Sequence, residues 1–234
     1  MPVTDDLRAI CPPQSQREMS HPDQLFRASG LHKCPRLQLL DAKGIHLQLP
    51  QWLLRKFSLH DGAHSNVCQW LQDRFSGIFP VLLEEVVYDP LSGAGGHIDC
   101  VIVDDQIAYV IEIKTYLHLP KGDPKANSYW QHQISFYYHT IADQERWLFV
   151  QPVIFIAGFG GEVRVIEPVV TEAYREILAG LNLAWETDTL PGYMDCYGLH
   201  ECRKCPLQRV CTEPIDSVAE FAVEVTARSQ NAEM

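Results

Sequence analysis

The chain lacks any run of about eighteen apolar residues, so no helical membrane span is expected. It lacks internal repeats and low-complexity tracts, which excludes solenoids, propellers and fibrous arrays. Its opening residues, Met1-Pro2-Val3-Thr4-Asp5-Asp6, are acidic and polar and do not read as a secretory signal, so a cytoplasmic location is expected. Basic charge is scarce: 19 Lys and Arg stand against 30 Asp and Glu, a net charge of −11. That balance weighs against a protein that coats nucleic acid along its whole surface. Basic residues are nonetheless concentrated between Arg27 and Lys56, where Arg27, Lys33, Arg36, Lys43, Arg55 and Lys56 meet a single acid, Asp41. Such a stretch could supply a local basic face.

Cysteine is plentiful, with 8 in 234 residues. In a chain expected in the cytoplasm, that number points to metal or cluster ligation before disulfides. Cys202-x2-Cys205-x5-Cys211 places three thiols close together near the C-terminus. One more soft ligand would close a four-coordinate site, and Cys34 and Cys196 are the candidates. Zinc and an iron–sulfur cluster both suit four thiolates, and spacing does not separate them. Cys11, Cys68 and Cys100 read as small core or surface residues.

The strongest pattern lies mid-chain. Gly96-His97-Ile98-Asp99 is followed one strand later by Val110-Ile111-Glu112-Ile113-Lys114. Strand side chains alternate, so Glu112 and Lys114 share a face while Ile111 and Ile113 take the other. A carboxylate and an ammonium in an apolar strand are costly without a task. Asp99 and Glu112 holding a divalent ion, with Lys114 beside the reacting water or phosphate, would be the chemistry of metal-assisted phosphodiester hydrolysis.

The expected architecture is α/β, a mixed central sheet flanked by helices. Residues 1–24 read as a poorly ordered leader, 25–211 as a single domain, and 212–234 as an acidic tail. Ser29 is a plausible N-cap for a first helical segment. Val67, Trp70, Leu71 and Phe75 recur at helical spacing from Asp61 to Phe75, with His64 near the helix start. Strands are expected over 82–88, 97–103 and 107–114, a helix over 128–140, and a hairpin over 153–157 and 162–166. Pro168 is expected to begin a last helix, ending near Leu181. His64 could complete an oxygen-rich metal site, with His60 as its rival. Gln133 and Tyr137 lie one helical turn apart and could hold a phosphate or a metal-bound water. Glu85 is a further acid that could reach the metal.

In order, Cys34, His64, Asp99, Glu112-x-Lys114, Gln133-x3-Tyr137 and Cys202-x2-Cys205-x5-Cys211 resemble the RecB-type nucleases of the PD-(D/E)XK superfamily. The likeness is greatest to their iron–sulfur branch. That branch includes the CRISPR-associated spacer-acquisition exonuclease, its phage relatives and the AddB nuclease domain. The resemblance spans about Ser29 to Cys211, and the glycine usual four residues before the histidine is His60 here. It implies a restriction-endonuclease-like core. It implies Mg²⁺ or Mn²⁺ on His64, Asp99, Glu112 and the carbonyl of Ile113, with Lys114 positioning or activating water and Gln133 and Tyr137 near the substrate. It further implies a 4Fe–4S cluster on Cys34, Cys202, Cys205 and Cys211 that joins the two ends of the domain, with zinc as the alternative occupant. The implied function is a metal-dependent DNA nuclease, an exonuclease on single-stranded or frayed DNA ends, serving CRISPR adaptation and antiviral defence, phage recombination or repair. The implied partners are DNA, a CRISPR integrase or phage recombination proteins, and no membrane. The alternative is a DNA-binding or scaffold subunit of an integrase or recombination complex.

Overall fold

The computed structural model describes residues 21–31, 34–45, 51–119, 128–191, 211 and 215–231. In chain order these hold β1 (Phe26–Arg27), a 3₁₀ turn (Ala28–Gly30), α1 (Pro35–Ala42), α2 (Gln51–Phe75), β2 (Val81–Asp89), β3 (Ala94–Asp104) and β4 (Ile107–Tyr116). There follow α3 (Ser128–Ala142), β5 (Phe149–Gly158), β6 (Val163–Ile166), α4 (Ala173–Glu186) and α5 (Val218–Asn231). Among the described residues, no helix is long and apolar enough to cross a membrane.

The strands form one mixed sheet in the order β1-β3-β4-β5-β6, with β2 on the other edge of β3. β4 and β5 run parallel from Ile107↔Phe149 to Tyr116↔Gly158. Parallel neighbours need a crossover, and α3 lies between them in the chain. Both faces of β4 are covered. Ala108 and Val110 pack into the cluster that includes Ile134, Phe136 and Tyr137 of α3. Ile111 and Ile113 pack into the opposite cluster with Cys68 and Leu71 of α2. This is the mixed sheet with flanking helices expected from the sequence.

The sheet forks at its centre. β3 and β4 pair only from Asp104↔Ile107 to Cys100↔Ile111. Beyond those pairs the strands part, and the first half of β3 takes β1 as its neighbour at Ala94 and Gly95. Asp99 and Glu112 are therefore the first residues on the two arms of the fork. β3 also changes face here: Ile98 packs on the α3 side and Cys100 on the α2 side. In β2, Glu84 lies between the pairs Leu83↔Cys100 and Glu85↔Ile98 with φ +51°. A left-handed residue inside a strand re-aims its neighbours as a bulge does.

Several elements differ from the sequence-based expectations. α1 begins at Pro35 with Cys34 at its N-cap position, while Ser29 lies within the 3₁₀ turn. The first-turn proline sets the helix start. α2 runs through Asp61-Gly62, a pair that favours turns, so His64 stands mid-helix. α4 begins at Ala173 and not at Pro168. Val169, Val170 and Thr171 are β-branched and poor helix formers, and the Thr171 N–H is held by Ser135 Oγ at 3.0 Å.

The stretch after Cys211, expected as an acidic tail, carries α5, which buries Val218, Phe221, Ala222 and Val225 in the main core. Those positions fall on one helical face, and the acids Glu220 and Glu224 fall outside it. Ser217 Oγ accepts the N–H groups of Ala219 at 3.1 Å and Glu220 at 3.3 Å, which caps the helix. Of the expected leader, residues 1–20 lie outside the described residues. Gln24 is buried and donates to the carbonyls of Phe26 and Gly95, each at 2.9 Å. The expected basic face also loses a member. Arg36 is buried, donating to the carbonyls of Pro191 at 2.8 Å and Cys211 at 3.1 Å. Its guanidinium satisfies chain-end carbonyls and ties α1 to the C-terminal part of the chain.

Candidate active site

Four elements, α2, β3, β4 and α3, supply the side chains around the fork. His64 of α2 places Nε2 3.1 Å from Asp99 Oδ1. The second oxygen, Asp99 Oδ2, accepts the backbone N–H of Ile113 at 2.6 Å. The aspartate is thus gripped by α2 on one side and by β4 on the other. His60, one turn earlier, points elsewhere: its Nδ1 is 3.1 Å from Thr115 Oγ1, and its ring lies against Phe159.

On the opposite face of β4, Lys114 Nζ donates to Glu112 Oε1 at 2.6 Å and to Gln133 Oε1 at 3.0 Å. Gln133 Nε2 donates in turn to the Tyr137 hydroxyl at 3.2 Å. The helical spacing of Gln133 and Tyr137 aligns them along this chain. Tyr137 is buried, and a Cβ at Gly96 would sit 2.8 Å from its hydroxyl oxygen. Glycine at 96 therefore lets α3 approach the first half of β3. Glu112 is 3% exposed, and its Oε2 has no hydrogen-bond partner among the described residues.

Burial and charge tune these groups together. Burial pushes the Glu112 carboxyl up, the Asp99 charge adds to the rise, and Lys114 opposes it. Burial alone would lower the His64 pKa, but its contacts with Asp99 and Cys68 raise it to about 10. Lys114 is likewise desolvated, yet the adjacent Glu112 carboxylate holds its pKa above the ordinary lysine value. Two carboxylates, an imidazole and a lysine are the side-chain types that suit a divalent cation and an anionic oxygen.

Glu85 does not join this group; it pairs with Arg146 at 2.7 Å. Its neighbour Glu84 does approach. The donor atoms of Glu84, His64 and Cys68 all lie within 4.8 Å of one another. Cys68 follows His64 by one helical turn, a spacing visible in the sequence and left unused there. Glu84 had no such signal, because its left-handed backbone breaks strand alternation.

Of the cysteines read as a cluster, Cys34 stands at the start of α1, and Cys211 is buried with its carbonyl bound by Arg36 of that helix. Cys202, Cys205 and the rival Cys196 lie outside the described residues, as does Cys11. Cys68 and Cys100 are both buried, in the α2-side core.

No family model and no curated protein matches the chain at a significant level. The fold is similar to that in the crystal structure of SSO0001, at 15% identity and a TM-score of 0.53, covering 85% of this chain and 91% of that one. At that identity the likeness shows a shared fold alone. A candidate exonuclease from Eubacterium rectale overlays 80% of this chain and 85% of its own, at 14% identity and a TM-score of 0.40. That overlay is too loose to bear on function.

Proposed function

We propose that this chain is a divalent-metal-dependent deoxyribonuclease with its active centre in the fork between β3 and β4. The observation that carries the reading is the buried Glu112 Oε2, which has no hydrogen-bond partner among the described residues and feels the charges of the paired Asp99 and His64. A buried carboxylate oxygen without a donor is costly unless a cation completes it. One imidazole nitrogen and oxygens of two carboxylates suit Mn²⁺ or Mg²⁺, and the Ile113 carbonyl is a further candidate ligand. Such an ion supplies Lewis-acid stabilisation of charge growing on a phosphate.

The chain's own groups do the rest. Asp99 is held in place by the Ile113 N–H. The adjacent Glu112 carboxylate holds the Lys114 pKa up, which favours the ammonium as a charged donor to water or a phosphate oxygen. Glu112 and Gln133 occupy two of its three donor protons. No third acceptor for Lys114 stands among the described residues, which leaves one proton for a substrate oxygen. Gln133 and Tyr137 keep that ammonium aimed.

Cys34, Cys202, Cys205 and Cys211 are proposed to hold a 4Fe–4S cluster, with zinc as the alternative. Support comes from Arg36, which joins the helix that begins after Cys34 to Cys211. A cluster there would close a very long loop between the chain ends. Anaerobic protein should be brown, Cys34→Ser should bleach it, and Cys196→Ser should not. The proposed substrate is single-stranded or frayed DNA, in company with a CRISPR integrase or phage recombination proteins. The net charge of −11 and the inward-turned Arg36 favour a second reading, in which the chain acts as a subunit that relies on partners to hold DNA. End-labelled single-stranded DNA separates the two. Cleavage with Mn²⁺ that stops in EDTA supports the nuclease, and intact DNA under every metal tested supports the subunit.

A further inference from the structure

We propose that His64, Cys68 and Glu84 form a second cation site beside the fork, with a donor set that selects a borderline ion such as Zn²⁺ over Mg²⁺. One nitrogen, one sulfur and one carboxylate oxygen lie within 4.8 Å of one another. His64 and Cys68 are a turn apart on α2, with Cys68 Sγ 3.7 Å from His64 Nδ1. Tetrahedral zinc, with Zn–S of about 2.3 Å and Zn–N of about 2.0–2.1 Å, sets those donors about 3.6 Å apart. The pair already stands at that spacing. Glu84 arrives from β2 through its left-handed backbone and is exposed, so it offers an entry side for a hydrated ion. Cys68 is buried and forms the inner wall. Three protein ligands with one position left for water make an open zinc site, whereas Mg²⁺ demands oxygen ligands and takes thiolate poorly. On binding, Cys68 releases its thiol proton and His64 its Nδ1 proton to solvent, so a thiolate and a neutral imidazole nitrogen coordinate.

The site shares His64 with the fork. The ring presents Nε2 to Asp99 and Nδ1 to Cys68. A neutral imidazole has one free lone pair. Zinc on Nδ1 therefore places the proton on Nε2, which then donates to Asp99 and is withdrawn as a ligand in the fork. Zinc at this site switches off the metal-dependent reaction, a consequence that rests on the deoxyribonuclease reading.

The test uses the full chain, stripped of loosely bound metal and titrated with zinc against a chromophoric chelator. Wild type should bind one zinc more than Cys68→Ala. Glu84→Gln should weaken that zinc by at least about tenfold. Cys34→Ser should keep it, which separates this site from the C-terminal thiols. Equal zinc stoichiometry and affinity in wild type and Cys68→Ala overturns the site and leaves a hydrogen-bonded cluster only. If Cys68→Ala does not fold, the exposed Glu84→Gln decides, and unchanged affinity there overturns it. In the second arm, zinc is added to manganese-supported DNA cleavage. It should inhibit wild type and spare Cys68→Ala, and equal inhibition of both overturns the link through His64. A zinc equivalent that depends on Cys68, in a protein that cleaves no DNA, would leave the site standing and remove the nuclease reading.

Discussion

Asp99 takes the backbone N–H of Ile113 at 2.6 Å, two residues past Ile111, where β4 makes its last pair with β3. A side chain thus takes over from the strand ladder at the point where the ladder ends. The same carboxylate that opens the fork holds its two arms together.

The two tasks of Asp99 separate by substitution. Asp99→Asn keeps an oxygen for the Ile113 N–H and removes the charge. Cleavage should fall by about two to three orders of magnitude with the melting temperature nearly unchanged. Asp99→Ala also leaves that N–H without its acceptor, so stability should drop by about 1–3 kcal/mol. Thermal unfolding beside rate measurements on both variants checks this, and equal melting temperatures for the two would contradict it.

Metal affinity should rise with pH. The Glu112 carboxyl is pushed up to about 7 and the His64 imidazole to about 10. Both groups hold protons below those values and must shed them to ligate, so binding releases protons. Below about pH 7 two protons leave per ion, and between about 7 and about 10 one, so the dependence should be steeper on the acid side. Mn²⁺ titrations at a series of pH values measure it directly. Affinity that is flat with pH would rule out these two ligands.

Gly96→Ala should damage activity through Tyr137. The added Cβ would lie 2.8 Å from the Tyr137 hydroxyl oxygen and 3.2 Å from a ring carbon. The ring must shift, and Gln133 loses the acceptor that aims it at Lys114. A stability loss of about 1–3 kcal/mol is expected from overpacking, together with slower cleavage. Gly96→Ala combined with Tyr137→Phe, which removes the crowded oxygen, should recover much of the stability and little of the rate.

The sequence was legible where local periodicity is strong. The period of two in β4 placed Glu112 and Lys114 on one face, and the period of 3.6 set Gln133 and Tyr137 in line, as found. The fork was not legible, because it depends on where β3 stops pairing with β4 and no local pattern encodes that register. Glu84 was missed for a related reason: a left-handed residue inside β2 has no signature in composition. The acids of α5 drew attention from the apolar residues at 218, 221, 222 and 225, which mark a buried face.

The end of the chain should matter for stability. Phe221 is buried under the Arg36 guanidinium, 5.5 Å from ring centre to charge. Phe221→Ala should cost about 3–5 kcal/mol. Ser217→Ala removes the cap of α5 and its contact with Asp188, and should cost about 1 kcal/mol. Chemical denaturation of the two variants gives both numbers. Wild-type stability in Phe221→Ala would mean that α5 is not part of the core.

Glu112→Gln, followed on end-labelled single-stranded DNA in Mn²⁺ with Mn²⁺ binding measured on the same protein, tests the central claim most directly. The amide keeps an acceptor for Lys114 and fills the same volume, so the fold should persist. The account predicts loss of cleavage by several orders of magnitude together with weakened Mn²⁺ binding. Full cleavage by folded Glu112→Gln, or by wild type in EDTA, would contradict it.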